Sequence, residues 1–146
     1  MGAPRSRNGN ADPCEAPAVS GERDLDVLLR DLDVARRPGA FAYIFAASGT
    51  PAPPATFAMI DEGGTTAYVV DADSSLGEQA PFRAAWLTLT VHSALEAVGL
   101  TAAVATALAG AGIPANVLAG FYHDHLLVPE DRADDAVAVL QSLAGH

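Results

Sequence analysis

The polar side chains best suited to chemistry gather in the second half of the chain. One stretch runs from Val91 to Gly99 and holds His92, Ser93 and Glu96. It lies between a predicted strand and a predicted helix. Backbone N–H groups at a helix N-terminus lack partners within the helix, and with the helix dipole they can hold a carboxylate. The stretch therefore predicts a site for a small molecule with a carboxylate, where Glu96 could pair with an ammonium group.

A second interpretation of the same stretch needs no ligand. Ser93 could cap the following helix, with Glu96 three residues later completing a capping box. The two interpretations are compatible, because a cap can also shape a pocket. The sequence leaves both open.

Two further polar groups lie downstream. Asn116, at the start of a predicted strand, could contact a ligand or fix a loop. In the run His123-Asp124-His125, a regular strand would point both histidines to one face, a spacing that metal sites use. Asp is also common in hairpin turns, and no second carboxylate or cysteine pattern supports a metal. We therefore expect no metal and no cofactor, and interpret this run as a turn or as polar contacts to a ligand or partner.

Catalytic patterns are weak in this sequence. Ser93, His92 and Asp124 are the residue types of a hydrolase triad, but the serine and histidine are adjacent and no nucleophile elbow is present. There is no phosphate-binding loop, dinucleotide fingerprint or paired-cysteine zinc spacing. Trp86 and Phe121 are interpreted as packing residues. We expect a protein that is not an enzyme.

The composition excludes several classes of partner. The 146 residues carry a net charge of −10, with eight arginines and no lysine. This balance argues against binding to nucleic acid or to anionic lipid, both of which need a concentrated basic surface. No apolar run is long enough to span a bilayer. The single cysteine, Cys14, cannot form an internal disulfide, so we expect a cytoplasmic protein.

The elements that must position these residues follow from hydrophobic spacing. Residues 1–22 have no apolar periodicity and are predicted to form a disordered tail. A short helix is predicted from Asp24, then strands at 41–45, 56–60 and 65–70. The second half predicts a strand at 86–91, a helix at 96–111, strands at 115–121 and 125–128, and a last helix after Pro129. That β-α-β-β-α order is a ferredoxin-like unit without its last strand, which we expect an early strand to supply.

Two stretches of the second half carry a family resemblance. Residues 85–101 read AWLTLTVHSALEAVGLT, and residues 113–129 read IPANVLAGFYHDHLLVP. Together they resemble the C-terminal half of small bacterial tandem ACT-domain proteins, which are similar to the ACT modules of aspartate kinases and of CASTOR-type arginine sensors. Leu87 and Ala94 depart mildly from residues common in such proteins. The resemblance implies an α+β fold of two tandem ACT-like βαββαβ units, with antiparallel sheets and helices on one face. The expected units are residues 23–80 and 81–146.

The resemblance also implies a function. We expect a non-catalytic regulatory protein that binds a small molecule, an amino acid, between its units, and that forms a homodimer through sheet edges. The alternative is a protein–protein interaction module whose pocket is vestigial. A third, weaker hypothesis is a small enzyme or metal protein built on the histidine run. The residues expected to contact the ligand are His92, Ser93, Leu95, Glu96, Ala97, Val98, Gly99, Asn116, His123 and Asp124.

Overall fold

The computed structural model describes residues 21–145. The predicted disorder of residues 1–20 lies outside the described residues. The helices are α1 (Leu25–Arg30), α2 (Leu100–Gly110) and α3 (Ala133–Leu143). The strands are β1 (Val34–Arg36), β2 (Phe41–Ala47), β3 (Ala58–Asp61), β4 (Thr65–Asp71), β5 (Arg83–Leu89), β6 (Asn116–Ala119) and β7 (Asp124–Pro129). Single 3₁₀ turns lie at Gly77–Gln79 and Glu130–Arg132.

All the strands belong to one antiparallel sheet with the order β3-β4-β2-β5-β7-β6, and β1 also pairs with β5. Two strands share one edge of β5. Phe41 of β2 pairs with Ala84 near the start of β5, and Val34 of β1 pairs with Leu89 at its end. An early strand therefore completes the ferredoxin-like unit β5-α2-β6-β7-α3, as predicted. The fold is the expected α+β arrangement.

Alternation along β5 separates two apolar clusters. Leu87 and Leu89 point to the face that carries the helices, while Trp86 points to the opposite face. The helix side holds the larger cluster, to which α1 contributes Leu28, α2 contributes Val104 and Leu108, and α3 contributes Ala136 and Leu140. The opposite face carries a smaller cluster of Phe41, Val69, Ala84, Trp86 and Leu127.

The end of α2 lies within one residue of the predicted end, but its start does not match the prediction. Gly112 adopts φ +66°, its N–H donates to the Ala109 carbonyl, and the Ile113 N–H donates to the Leu108 carbonyl, which together form a Schellman C-cap. The predicted start near Glu96 is wrong, because the helix begins at Leu100. Gly99 adopts φ +105°, a turn that only glycine makes without strain, so the chain changes direction there.

Within residues 21–145, no helix combines the length and apolar character that crossing a bilayer requires.

Candidate functional site

Two segments that are distant in sequence lie side by side at the end of β5. Glu22 donates its N–H to the His92 carbonyl at 2.9 Å, and its own carbonyl accepts the N–H of Ala94 at 2.9 Å. Gly21 permits this contact, since a Cβ at that position would lie 2.4 Å from the Ala94 nitrogen. Gly21 and Glu22, assigned from sequence to the tail, are thus tied to the loop that follows β5.

These segments frame an open cleft of about 720 Å³. Its lining residues come from the early segment, from the loop after β5 and from the β6–β7 turn: Gly21, Glu22, Arg23, His92, Ser93, Ala94, Leu95, Glu96 and Phe121. The Arg23 guanidinium donates a hydrogen bond to the Glu96 carboxylate across the two segments. Their side chains are 70% and 74% exposed. The cleft therefore presents a cation and an anion side by side to solvent.

The capping interpretation of Ser93 and Glu96 is wrong. The N-cap of α2 is Gly99, and no side chain caps the helix. The N–H groups of Ala94 and Ala97 are used within the chain, by the carbonyls of Glu22 and Ala94 respectively. The helix N-terminus thus lies beyond the stretch expected to hold a carboxylate.

The structure separates the predicted ligand contacts into groups. His92, Ser93, Leu95 and Glu96 line the cleft. Ala97, Val98 and Gly99 follow in the same loop but are not among its lining residues.

Asn116 also lies away from the cleft. It pairs with Leu127 at the far end of the β6–β7 hairpin, whereas the cleft adjoins the turn of that hairpin. The strand direction therefore places Asn116 too far along β6 to share the site.

His123 lies in a neighbouring cavity of about 380 Å³ on the other side of Phe121. This second cavity is lined by Thr88, Gly120, Phe121, Tyr122, His123 and His125. Asp124 lines neither cavity and pairs with Ala119 across the hairpin. Gly120 allows a close approach of the backbone in this turn, because a Cβ there would lie 2.6 Å from the His123 carbonyl oxygen.

The imidazole of His125 lines the second cavity and is held by two contacts. Its Nδ1 lies 3.0 Å from the Thr88 hydroxyl oxygen, and its ring centroid lies 5.3 Å from that of Trp86. Burial lowers the pKa of His125, and His123 lowers it further. No group of three His, Cys, Asp or Glu side chains in residues 21–145 is arranged to hold a metal ion.

Sequence reasoning missed Arg23 and misinterpreted Phe121. Arg23 reaches the cleft only because Glu22 bridges to the loop after β5, and no local pattern signals a contact between residues so distant in the chain. Phe121, interpreted as a packing residue, is 51% exposed and forms the partition between the two cavities. Its position at the end of a predicted strand, just before the polar run His123-Asp124-His125, is the signal that could have indicated exposure.

Comparisons with known proteins agree on the fold. The ACT domain family profile matches residues 82–142, which span β5 to α3 apart from its last residue. A search of curated protein sequences finds no significant match.

Among solved structures, a Vibrio cholerae protein of unknown function, described as a possible transport protein, is 33% identical. The alignment covers 82% of this chain and 95% of that one, with a TM-score of 0.68. An Agrobacterium tumefaciens protein is 15% identical over 77% of this chain and 89% of that one, with a TM-score of 0.60. The regulatory subunit of aspartate kinase from Thermus flavus is 13% identical over 76% and 96%, with a TM-score of 0.55.

The aspartate kinase regulatory subunit shares the fold of this chain, while the Vibrio cholerae protein is identical to this chain at a third of the aligned positions over nearly its whole length. ACT domains are regulatory, ligand-binding modules. Because the family profile covers the complete β-α-β-β-α unit, the assignment includes the loop that lines the cleft. The chain belongs to the ACT-domain family.

Proposed function

We propose that this chain is a non-catalytic regulatory protein that binds a free amino acid in the cleft between residues 21–23 and the loop after β5. The observation that carries the proposal is the paired Arg23 and Glu96 at the cleft. A guanidinium and a carboxylate side by side are the complement of the carboxylate and ammonium of an amino acid. The single cysteine supports a cytoplasmic location as part of this proposal.

The exposure of this ion pair favours an exchange of partners. A solvent-exposed pair contributes only about 0–1 kcal/mol to stability, so separating it costs little. An amino acid inserted between the two side chains replaces one ion pair with two charge-assisted hydrogen bonds. Because the bound ligand shields these bonds from water, they are screened less than the exposed pair that they replace. The Ser93 hydroxyl and the His92 ring line the same cleft and offer further polar contacts.

The tandem arrangement is part of the proposal. The sheet order places β3-β4-β2 beside β5-β7-β6. With β1 set aside, each half therefore has its first strand innermost, its third strand next and its second strand outermost. The two halves of the chain meet through the antiparallel β2–β5 pair. Residues 48–57 and the 3₁₀ turn Gly77–Gln79 take the chain positions that helices occupy in the second half. This symmetry supports units at residues 23–80 and 81–146.

We also propose assembly into a homodimer through sheet edges. β3 and β6 are the outer strands of the sheet order and each pairs with one neighbour only among the described residues. Such an edge presents unpaired N–H and C=O groups to a second chain. Light scattering on the purified protein should give twice the chain mass, and a strict monomer at micromolar concentration contradicts this part of the proposal.

Isothermal titration calorimetry against the twenty amino acids tests the proposed ligand class. We expect saturable binding of at least one of them, weakened about tenfold or more by Arg23→Gln and by Glu96→Gln, since about 1.4 kcal/mol corresponds to a factor of ten. Arg30→Gln and Asp31→Asn are matched controls, because they remove the same charges from an exposed ion pair that does not line the cleft. No binding by the wild-type protein, or unchanged binding by Arg23→Gln, refutes the proposal.

A second candidate function is a protein-docking module with an unused cleft. Leu95 and Val98, in the loop beside the cleft, are 69% and 82% exposed, which is unusual for large apolar side chains so close together. The calorimetric titration discriminates between the two functions, because only the first gives saturable binding of one small molecule.

A further inference from the structure

The candidate cleft continues toward a second cavity. Phe121 lines both, and the His92 ring of the first lies 5.7 Å from Tyr122 and 6.4 Å from His123 of the second, between ring centroids. Phe121 and His92 therefore lie where the two spaces approach each other. We propose that a ligand held by Arg23 and Glu96 places its side chain in this second cavity, and that the ligand is an amino acid with a large, uncharged apolar or aromatic side chain. This inference rests on the proposed function.

The walls of the second cavity are mainly apolar and aromatic. Its lining contains the rings of Phe121 and Tyr122 and two imidazoles, and includes neither a carboxylate nor a guanidinium. The Thr88 hydroxyl is already paired with the His125 ring. A charged side chain would gain little from these apolar walls and, because the cavity is open, would keep its charge in water. An aromatic side chain would instead find ring faces and edges to stack against.

The size of the space agrees with this class of ligand. The second cavity measures about 380 Å³, which is at the lower end of the range for small-molecule pockets. Gly120 contributes to this space, since it has no side chain and its position leaves no room for one beside the His123 carbonyl. Glycine or alanine as ligand would leave the second cavity unfilled.

The partition between the cavities can move at little cost. Phe121 and Tyr122 are 51% and 47% exposed in the β6–β7 turn and contact each other edge-on at 4.9 Å. Exposed side chains change rotamer within nanoseconds, and Phe121 gives up little buried packing when it swings aside. A bound apolar side chain would then cover ring surface that is now in water, which favours the open arrangement.

Calorimetric titration of the full chain with alanine, leucine, phenylalanine, glutamate and lysine tests the inference. We expect phenylalanine and leucine to bind at least about tenfold more tightly than alanine, because each additional buried CH₂ group contributes to the free energy of binding. Glutamate and lysine should bind no better than alanine. Tyr122→Ala should weaken phenylalanine binding about tenfold and leave alanine binding unchanged. Phe45→Ala is the control, since Phe45 is also an exposed aromatic residue but lines neither cavity.

A gain of function gives an independent check. His123→Glu places a carboxylate in the second cavity and should make lysine bind about tenfold more tightly than it binds to the wild type. If the wild type prefers glutamate, lysine or alanine and still depends on Arg23 and Glu96, the inference is overturned while the proposed function stands. If no amino acid binds, the proposed function fails and this inference fails with it.

Discussion

Gly99→Ala is expected to destabilise the protein through two separable effects. Gly99 precedes α2 and adopts φ +105°, a conformation that L-residues rarely adopt. A Cβ at this position would also lie 2.9 Å from the Cδ2 atom of Leu25 in α1. The substitution therefore strains the backbone and pushes against the neighbouring helix at the same time.

The magnitude follows from these contacts. Left-handed backbone in a residue with a Cβ costs about 1–2 kcal/mol. The Leu25 methyl group is the far end of a flexible side chain, so its displacement adds at most about 1 kcal/mol. The total is a loss of about 1–3 kcal/mol in the free energy of unfolding. For a chain of this size that corresponds to a fall in Tm of about 3–12 °C.

Thermal unfolding followed by circular dichroism measures the effect, with two matched glycine variants. Gly110→Ala lies in the last turn of α2, where φ is not positive and a Cβ meets nothing within 4 Å, so it should stabilise by up to about 1 kcal/mol. Gly112→Ala has φ +66° but again no contact within 4 Å, so it reports the backbone strain alone. The expected order of Tm is Gly110→Ala highest, then wild type, then Gly112→Ala, then Gly99→Ala. A Gly99→Ala protein as stable as Gly110→Ala refutes the reasoning.

Three further predictions concern the core, pH and the helix-free sheet face. Leu140→Ala, in the fully buried centre of α3, should lower the free energy of unfolding by about 2–5 kcal/mol in urea titrations, whereas Leu76→Ala on the surface should change it by less than about 0.5 kcal/mol. Burial lowers the pKa of His125 below its ordinary 6.5. At pH values between the pKa of the folded state and that of the unfolded state, the folded chain therefore binds fewer protons than the unfolded chain. Stability should therefore fall as the pH drops below about 6.5, and His125→Asn should show a shallower fall. The guanidinium carbon of Arg37 lies 5.3 Å from the ring centroid of Trp86, the only tryptophan of the sequence. Arg37→Ala should expose this ring to water and shift its fluorescence emission to longer wavelength, and unchanged emission would contradict this contact.

Elements with a complete hydrophobic period could be predicted from sequence. The leucines of α1, the alternation of β5 and the apolar spacing of α3 each mark a buried face within a few residues, and local spacing alone determines them. β1 was not predicted, because Val34–Arg36 is three residues long with only Val34 buried, too short to show a period. The predicted start of α2 at Glu96 is wrong because Gly99, at φ +105°, interrupts a helical path, so the helix begins only after it.

The candidate site could be predicted only in part, because part of it depends on contacts between segments that are distant in sequence. His92, Ser93 and Glu96 follow a strand, and a loop after a strand is a common place for a ligand, so local order was sufficient to find them. Arg23 depends on a tertiary contact that has no sequence pattern. Asn116 lies away from the cleft, because its place depends on the direction and length of the β6–β7 hairpin, which strand propensity does not determine.

The pairing of β1 with β5 has a consequence for synthesis of the protein. α1 and β1 leave the ribosome before any of the residues that bury Leu28, Leu32 and Val34, which come from β5 onward. At about 5–20 residues per second, this apolar segment waits several seconds for its partners. The earliest described part of the chain to be translated is thus among the last to fold, and during that interval it is a candidate client for a chaperone at the ribosome.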